Sequence, residues 1–131
     1  IAEMEAGRRI HLVAVIEDNI IGNIVLKKEQ HVLYSHRCSL EDVVVNPVFQ
    51  KQGLATGLFE EACKSAAEQG FQYVITSCRG DGTENFYKSL GMRECGRIPQ
   101  GIYEPWGDFK KYDEIILVIC YFRSYIQDRM R

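Results

Sequence analysis

The sequence predicts an α/β domain with a single mixed, mostly antiparallel sheet, a central parallel β-α-β crossover and flanking helices. Two observations support this prediction. Apolar runs rich in β-branched residues recur along the chain, which is typical of strands. One of these runs is followed by a long segment whose apolar residues recur at helical spacing, and then by another strand-like run. A strand, a helix and a strand in this order form a crossover, so the two strands are expected to be parallel.

The first third of the chain predicts mainly strands. Residues 1–6 have the composition of a helix end. Residues 10–16 and 20–26 are rich in β-branched residues and flank the turn residues Asp18-Asn19, which predicts a β-hairpin. The run 40–45 predicts a third strand.

A change of period marks the start of the predicted long helix at Gly53. Its apolar face is formed by Leu54, Leu58, Phe59, Ala62, Cys63, Ala66 and Ala67. The charged residues of the same segment fall on the opposite face, and Gly70 is placed to end the helix. We therefore expect one face of this helix to be buried against the sheet.

The remaining elements follow from shorter patterns. Residues 71–77 and 92–98 predict strands, and 83–90 predict a short helix. Two prolines and two glycines within 99–111 predict a long loop. The most apolar run, 115–122, predicts the last strand.

Size and charge limit the classes of function. A chain of 131 residues is long enough for one domain, which we assign to 1–131. A formal net charge of -2 provides no global attraction to nucleic acid or to an anionic membrane, and no apolar run approaches the roughly 20 residues that span a bilayer. Five scattered cysteines without a CxxC pair argue against a disulfide framework and against a metal site, and indicate a reducing cytoplasm.

The most informative segment is the turn between the third strand and the long helix. The strand residues Val43, Val44 and Val45 lead into Gln50-Lys51-Gln52-Gly53-Leu54-Ala55-Thr56. The first N–H groups of a helix have no partner within the helix, and the helix dipole adds partial positive charge there, so this turn could bind a phosphate. The alternative is an ordinary helix start that needs small residues.

The spacing Gln-x-x-Gly-x-Ala in this segment resembles the pyrophosphate-binding motif of the GNAT acetyltransferase superfamily. A second stretch, Phe86-Tyr87-Lys88-Ser89-Leu90-Gly91-Met92, resembles the superfamily's FYxxxGF signature, with Met92 where an aromatic residue is commoner. The resemblance covers roughly residues 8–122. It implies the GNAT fold and, because the first residue is Ile1, a part of that fold that would precede this sequence.

The resemblance implies acetyl-CoA as co-substrate and no bound metal. In that family the pantetheine arm pairs with the first strand of the crossover, here near Val43, Val44 and Val45. The pyrophosphate then contacts the N–H groups of residues 50–56. A backbone N–H near Val44 or Val45 would polarise the thioester carbonyl.

The resemblance also implies the catalytic groups. Tyr87 matches the family's general acid, which protonates the leaving sulfur. For the general base, Glu41 and Asp42 are the best candidates, and strand alternation predicts that at most one of them faces the amine. His31 and His36 are further candidates because histidine titrates near neutral pH. Each of these side chains could instead be an ordinary structural or surface residue.

The stretch that contains Glu41-Asp42-Val43-Val44-Val45 is similar to glucosamine-6-phosphate N-acetyltransferases. That similarity implies an amino-sugar acceptor, with Arg37 or Lys27 near its phosphate. Residues 96–103 and the loop through Trp106-Gly107-Asp108 look more like small-molecule- and antibiotic- or toxin-modifying members of the superfamily. The loop 99–111, with Tyr103, Trp106 and Asp108, is another candidate for the acceptor site.

The favoured function is therefore acetyl transfer to a small-molecule amine, without a nucleic-acid or membrane partner. A protein or peptide N-acetyltransferase and a non-catalytic acyl-CoA-binding module remain the alternatives. A homodimer is plausible, because the last strands of this family often pair across subunits.

Overall fold

The computed structural model describes residues 2–6, 9–50 and 53–120. They fall into two compact units, one formed by the described residues up to Val74 together with Cys120 and the other by Ile75–Ile119.

The first unit is built on an antiparallel meander of four strands. These are β1 (Ala2–Ala6), β2 (Arg9–Ile16), β3 (Asn19–Lys28) and β4 (Arg37–Val45), each paired with the next. The prediction of a helix end at 1–6 is wrong. So short a segment cannot nucleate a helix alone, whereas the edge of β2 supplies hydrogen-bond partners for its backbone.

The predicted hairpin is confirmed, with its tight turn one residue earlier than expected. The central residues are Glu17 and Asp18, which have φ of 49° and 64°. Two consecutive left-handed residues are characteristic of the type I′ turn, whose twist matches that of paired strands. Asn19 is the first residue of β3, and its Nδ2 donates to the Glu17 carbonyl oxygen at 3.2 Å.

The long helix is α1 (Leu54–Glu68), and it contacts β2, β3 and β4 of the meander. Its buried residues are Leu58, Phe59, Ala62, Cys63, Ser65 and Ala66, close to the predicted face, although Ala67 is exposed. The helix packs closely against β3 at Gly22, where an added Cβ would lie 3.1 Å from Leu58 Cδ1. Gly70, with φ of 87°, follows the helix as expected.

A β-α-β crossover follows the meander. The strand β5 (Tyr73–Arg79) lies next to β4 in the strand order and is joined to it through α1, which is the connection of a parallel pair. At its start, the Gln72 N–H donates to the His36 carbonyl oxygen at 2.8 Å. The predicted mixed sheet with a central crossover is therefore confirmed.

The second unit contains the rest of β5, the helix α2 (Thr83–Ser89) and the strands β6 (Arg93–Tyr103) and β7 (Lys111–Cys120) up to Ile119. The strand order is β5-β7-β6, and β6 and β7 are antiparallel. Ile115 and Leu117 of β7 are fully buried.

The predicted long loop at 99–111 is partly wrong, since β6 continues to Tyr103. Ile98 lies opposite Glu114 and Ile102 lies opposite Tyr112, so three residues of β6 bulge out against Asp113. The Gln100 N–H donates to Asp113 Oδ1 at 3.0 Å. A bulge accommodates the Pro and Gly that sequence patterns assign to a loop.

None of the helices within the described residues is long and apolar enough to cross a bilayer.

Candidate functional site

The candidate catalytic strand β4 carries a β-bulge where the two acidic candidates lie. Val25 of β3 lies opposite Glu41 and Asn23 lies opposite Val44, so one residue of β3 faces two residues of β4, Asp42 and Val43. Asp42 has φ of 37°. A bulge of this kind bends the strand and shifts its side-chain alternation.

The pattern of buried and exposed residues along β4 agrees with this shift. Before the bulge, Cys38 and Leu40 are buried, whereas after it Val44 is 56% exposed and Val43 and Val45 are half-buried. The predicted alternation of Glu41 and Asp42 is therefore interrupted at the position where these carboxylates would act.

One face of the meander, which we call the polar face, carries most of its charged side chains. Directly opposite residues of paired strands share a face. The register Arg9–Lys27–Ser39 and His11–Val25–Glu41 therefore places these side chains together, and Arg37 joins them by alternation along β4; the charged and polar members are Arg9, His11, Asn23, Lys27, Arg37, Ser39 and Glu41.

Glu41 is held on the polar face by an ion pair. Arg9 Nε lies 3.1 Å from Glu41 Oε2, across the intervening strand β3. Ser39 Oγ donates to Glu29 Oε1 at 2.7 Å. Asp42 is exposed, and no ion pair joins it to another residue of the described chain.

Two buried polar atoms of the polar face have no hydrogen-bond partner among the described residues. They are Asn23 Oδ1 and Arg37 Nε. The Arg37 guanidinium lies over the Tyr34 ring at 4.1 Å from its centroid. A buried polar group without a partner costs about 1–3 kcal/mol, so a polar partner at either atom would stabilise this face.

The connection from β4 to α1 is held by short-range hydrogen bonds. The Asn46 N–H donates to the Ile21 carbonyl oxygen at 2.7 Å, and Asn46 Oδ1 accepts from the Val48 N–H at 3.0 Å. Gln50 also makes its hydrogen bonds within this connection. Its N–H donates to the Pro47 carbonyl oxygen and its Nε2 to the Val45 carbonyl oxygen, both at 3.3 Å.

The first turn of α1 is open to a ligand. Gly53 has φ of 76° and supplies no side-chain cap, and an added Cβ would meet nothing within 4 Å. The Gly57 N–H donates to the Gly53 carbonyl oxygen at 2.9 Å. The N–H groups of Leu54, Ala55 and Thr56 precede this bond and have no acceptor within the helix. Lys51 and Gln52, which the sequence also assigns to this site, lie outside the described residues.

Near this connection, a cavity of about 420 Å³ lies beside the hairpin turn of the first unit. Its lining residues are Ile16, Glu17, Asn19, Ile20, Ile21, Asn46 and Phe49. It borders the start of the connection but does not include the first turn of α1.

In the second unit, the candidate acid Tyr87 lies on α2 and is half-buried. Burial raises the pKa of its phenol, and the nearby Cys78 thiol, when ionised, acts in the same direction. A hydrogen bond with the Thr76 side chain opposes this rise. The net effect keeps Tyr87 protonated, as a proton donor must be at neutral pH.

The start of α2 is fixed by acidic side chains. Asp81 Oδ1 accepts hydrogen bonds from the Thr83 N–H at 3.1 Å and the Thr83 hydroxyl at 2.6 Å. These bonds lower the pKa of the Asp81 carboxyl. Glu84 Oε2 accepts from the Gly82 N–H at 3.0 Å. These hydrogen bonds stabilise the first turn of the helix that carries Tyr87.

The histidine candidates have structural contacts. His31 Nδ1 accepts from the Leu33 N–H at 3.1 Å at the start of a 3-10 turn, Val32–Tyr34. The His36 ring packs edge-on against Tyr73, with ring centroids 5.7 Å apart. These contacts favour structural roles over general-base catalysis.

The aromatic residues predicted near the acceptor are exposed in the second unit. Tyr103 ends β6, and Trp106 and Asp108 lie in the loop 104–110. Trp106 is 66% exposed. No group of three or more potential metal ligands occurs within the described residues.

Sequence reasoning missed two polar residues near the candidate groups. Thr76 is a buried residue of β5, where threonine is indistinguishable from an ordinary strand former. Asn23 lies in the middle of β3, where asparagine is unfavourable, and this was the one available sequence signal.

Comparison with known proteins agrees with this architecture. Residues 2–92 match the model of the acetyltransferase (GNAT) family. No curated protein matches the chain.

Several solved structures have a similar fold. A GNAT-family acetyltransferase from Streptococcus pneumoniae is 22% identical, with a TM-score of 0.75, covering 86% of this chain and 67% of that chain. The ribosomal-protein-alanine N-acetyltransferase of Brucella melitensis is 19% identical, with a TM-score of 0.73, covering 86% and 68%. An aminoglycoside 6′-N-acetyltransferase complexed with coenzyme A is 18% identical, with a TM-score of 0.71, covering 86% and 73%.

Proposed function

This chain belongs to the acetyltransferase (GNAT) family, and from this premise we propose that it transfers the acetyl group of acetyl-CoA directly to a primary amine of a small molecule. Acetyl-CoA is the acetyl donor of the family. The observation that carries the proposal is the combination of an open helix start after β4 with a half-buried tyrosine on α2.

The proposed cofactor site is formed by β4 and the start of α1. The backbone of Val43, Val44 and Val45 would pair with the pantetheine arm. The pyrophosphate would be bound by N–H groups at the start of α1, those of Gly53, Leu54, Ala55 and Thr56. Gln50 would contribute by holding the connection between β4 and α1 in place, since its N–H and Nε2 already donate hydrogen bonds within it. Lys51 and Gln52 complete the proposed set.

In the proposed reaction the amine nitrogen attacks the acetyl carbon, and the carbon–sulfur bond breaks. Tyr87 would donate its proton to the leaving sulfur. A backbone N–H near Val44 or Val45 would stabilise the oxyanion. Glu41 and Asp42 are the proposed bases, of which Asp42 is the stronger candidate because Glu41 is engaged by Arg9.

The polar face suggests the substrate class. Lys27 and Arg37 lie there without a carboxylate partner in the described chain, and Arg37 Nε is buried without an acceptor. Such cations favour an anionic group, whereas Glu41 and Asn23 Oδ1 favour an amine. Lys27 lies opposite Ser39 in the register of β3 and β4. Ser39 and Glu41 are two residues apart on β4, which is about 7 Å along the strand.

A small molecule with an amine and a phosphate about one sugar ring apart fits this spacing, so we propose an amino sugar phosphate as the acceptor. In this reading the anion lies towards Lys27 and Arg37, and the amine lies towards the bulge of β4, where Glu41 and Asp42 are adjacent. We also propose a cytoplasmic location, since acetyl-CoA and sugar phosphates are cytoplasmic metabolites, and a homodimer as the assembly to test.

The test is a coenzyme A release assay with purified protein and three acceptors: glucosamine 6-phosphate, glucosamine and a lysine-containing peptide. Turnover of the phosphorylated sugar well above that of glucosamine is expected. Preference for the peptide would establish the alternative, a protein N-acetyltransferase. Acetyl-CoA binding by calorimetry without turnover of any amine would favour a non-catalytic acyl-CoA-binding module.

A further inference from the structure

Arg37 is a cation of the polar face whose guanidinium contacts an aromatic ring. It is the first residue of β4 and is half-buried, and its Cζ lies 4.1 Å from the centroid of the Tyr34 ring. A separation below about 6 Å is within the range of a cation–π interaction. Arg37 Nε is buried without a hydrogen-bond partner, and no ion pair joins Arg37 to another residue of the described chain.

Tyr34 is itself fixed by the 3-10 turn that precedes β4. Its N–H donates to the His31 carbonyl oxygen at 2.9 Å, and the centroids of the His31 and Tyr34 rings are 5.6 Å apart. At the start of the same turn, His31 Nδ1 accepts from the Leu33 N–H at 3.1 Å. The Tyr34 ring therefore has a defined place beside the start of β4.

A carboxylate of the polar face could compete for Arg37. Lys28 lies opposite Cys38, and the same register continued by one residue brings Glu29 beside Arg37. Glu29 instead accepts a hydrogen bond from Ser39 Oγ at 2.7 Å, and no ion pair joins it to Arg37. A guanidinium paired with a carboxylate has fewer donors left for a ligand, whereas one that lies on an aromatic ring keeps its fork of N–H groups for another anion.

We propose that Tyr34 is a positioning residue of the acceptor site, whose ring holds the Arg37 guanidinium away from Glu29 and in place to bind the phosphate group of the acceptor. The inference rests on the proposed function, in which the anion of the acceptor binds at this end of the polar face. A side chain that is ordered before binding loses less conformational entropy when its ligand arrives, so the contact with Tyr34 should increase the affinity of Arg37 for the phosphate.

This role predicts a particular pattern of kinetic effects. Tyr34 acts on the phosphate through Arg37, and neither residue touches the reacting atoms in the proposed reaction. Loss of the ring should therefore weaken binding of a phosphorylated acceptor and leave a neutral acceptor unaffected. It should change KM and not kcat, since binding that is equal in the ground state and the transition state appears in KM alone.

The experiment compares Tyr34→Leu, Tyr34→Phe and Leu33→Ala. Leucine removes the aromatic ring and phenylalanine keeps it, while Leu33 is a 68% exposed neighbour on the same turn. Two quantities are measured. The first is the Kd of glucose 6-phosphate, which has the phosphate but no amine, by calorimetry with glucose as the neutral reference. The second is kcat and KM for glucosamine 6-phosphate and for glucosamine.

We expect Tyr34→Leu to raise the Kd of glucose 6-phosphate and the KM of glucosamine 6-phosphate by about 3- to 10-fold, the effect of losing one partly buried cation–π contact. The kcat values and the KM of glucosamine should stay within about twofold of the parent's. Tyr34→Phe and Leu33→Ala should bind and turn over like the parent.

A double-mutant cycle tests whether Tyr34 acts through Arg37. Arg37→Gln should raise the Kd of glucose 6-phosphate by about tenfold or more, because it removes a charged donor. Adding Tyr34→Leu to Arg37→Gln should have no further effect, since the ring then has no guanidinium to hold.

The proposed function and the role of Tyr34 can fail separately. If the parent protein acetylates no amine, the proposed function is wrong, whereas the Kd of glucose 6-phosphate still measures the anion site. The role of Tyr34 is overturned if the parent does not bind glucose 6-phosphate, or if Tyr34→Leu binds it as tightly as the parent. It is also overturned if Tyr34→Phe is as weak as Tyr34→Leu, or if Tyr34→Leu weakens binding equally with and without Arg37.

Discussion

The guanidinium of Arg9 on β2 reaches across β3 to the carboxylate of Glu41 on β4, with Nε and Oε2 3.1 Å apart. The next residue, Asp42, lies in the bulge, exposed and without an ion pair in the described chain. Two adjacent carboxylates of one strand therefore have different surroundings, and this difference separates their expected roles.

We predict that Asp42→Asn lowers kcat by roughly 10²–10⁴, the usual contribution of a general base. Glu41→Gln should lower kcat much less, because Glu41 is paired with Arg9 and Asp42 is the favoured base. The measurement is the pH dependence of kcat/KM for both variants with the best acceptor. A larger loss in Glu41→Gln than in Asp42→Asn would reverse the assignment.

Tyr87→Phe tests the general acid. The loss of the proton donor should lower kcat by roughly 10²–10⁴ and leave the Kd of acetyl-CoA, measured by calorimetry, unchanged. Because the pKa of Tyr87 is raised, the phenol is protonated at every pH below its ordinary value, and loss of activity through its ionisation is expected only above that value. Parent-level turnover by Tyr87→Phe would remove Tyr87 from the mechanism.

Gly53 and Gly57 form a matched pair at the start of α1. An added Cβ would meet nothing within 4 Å at either position, but Gly53 has φ of 76° and Gly57 is within the helix. Gly53→Ala should destabilise the fold by about 1–2 kcal/mol through its left-handed backbone. Gly57→Ala should stabilise it by about 0.5–1 kcal/mol. Urea unfolding of the two variants provides the comparison.

The Gly53→Ala and Gly57→Ala variants also test the proposed cofactor site. If the N–H groups after Gly53 bind the pyrophosphate, Gly53→Ala should weaken acetyl-CoA binding by about tenfold or more, the effect of one lost bond to a charged group. Desulfo-coenzyme A and its fragment without the pyrophosphate serve as probes in the titration. Equal affinity of the variant and the parent for desulfo-coenzyme A would contradict the proposed pyrophosphate site.

Gly22 should be intolerant of substitution for a packing reason. An alanine Cβ there would lie 3.1 Å from Leu58 Cδ1, 3.3 Å from Leu54 Cδ2 and 3.3 Å from the Val44 carbonyl oxygen. We predict that Gly22→Ala destabilises the protein by about 1–3 kcal/mol, as overpacking does. Gly96→Ala, whose nearest neighbour is Ile116 Cδ1 at 3.9 Å, is the control. Similar midpoints of thermal unfolding for the two variants would show that α1 does not pack as described.

Much of the fold can be predicted from the spacing of apolar residues, because a helix or strand that buries one face carries apolar residues at the period of that element. The hairpin around Asp18, the helix after Gly53 and the crossover strands all have the expected pattern. The strand β1 and the end of β6 do not, since the first depends on pairing with β2 and the second on a bulge opposite Asp113. Both are non-local effects that a short window of sequence does not contain.

The candidate site was only partly predictable for a related reason. Motif spacing is enough to propose Gly53 and Tyr87 as site residues, because each motif is a short stretch of neighbouring residues. The unequal environments of Glu41 and Asp42 depend on Arg9, 32 residues away from Glu41, and on a bulge in β4.

The connectivity of the meander has a consequence for how the chain folds. Each of β1 to β4 pairs with its immediate neighbour in sequence, and the β2–β3 turn contains only two residues. Closing such short loops costs little entropy. The pairing of β5 with β4 has to close the much longer connection that contains α1, so it is expected to form later. The order of assembly should follow the order of synthesis, and pulsed hydrogen exchange should find the amides of β2 and β3 protected before those of β5.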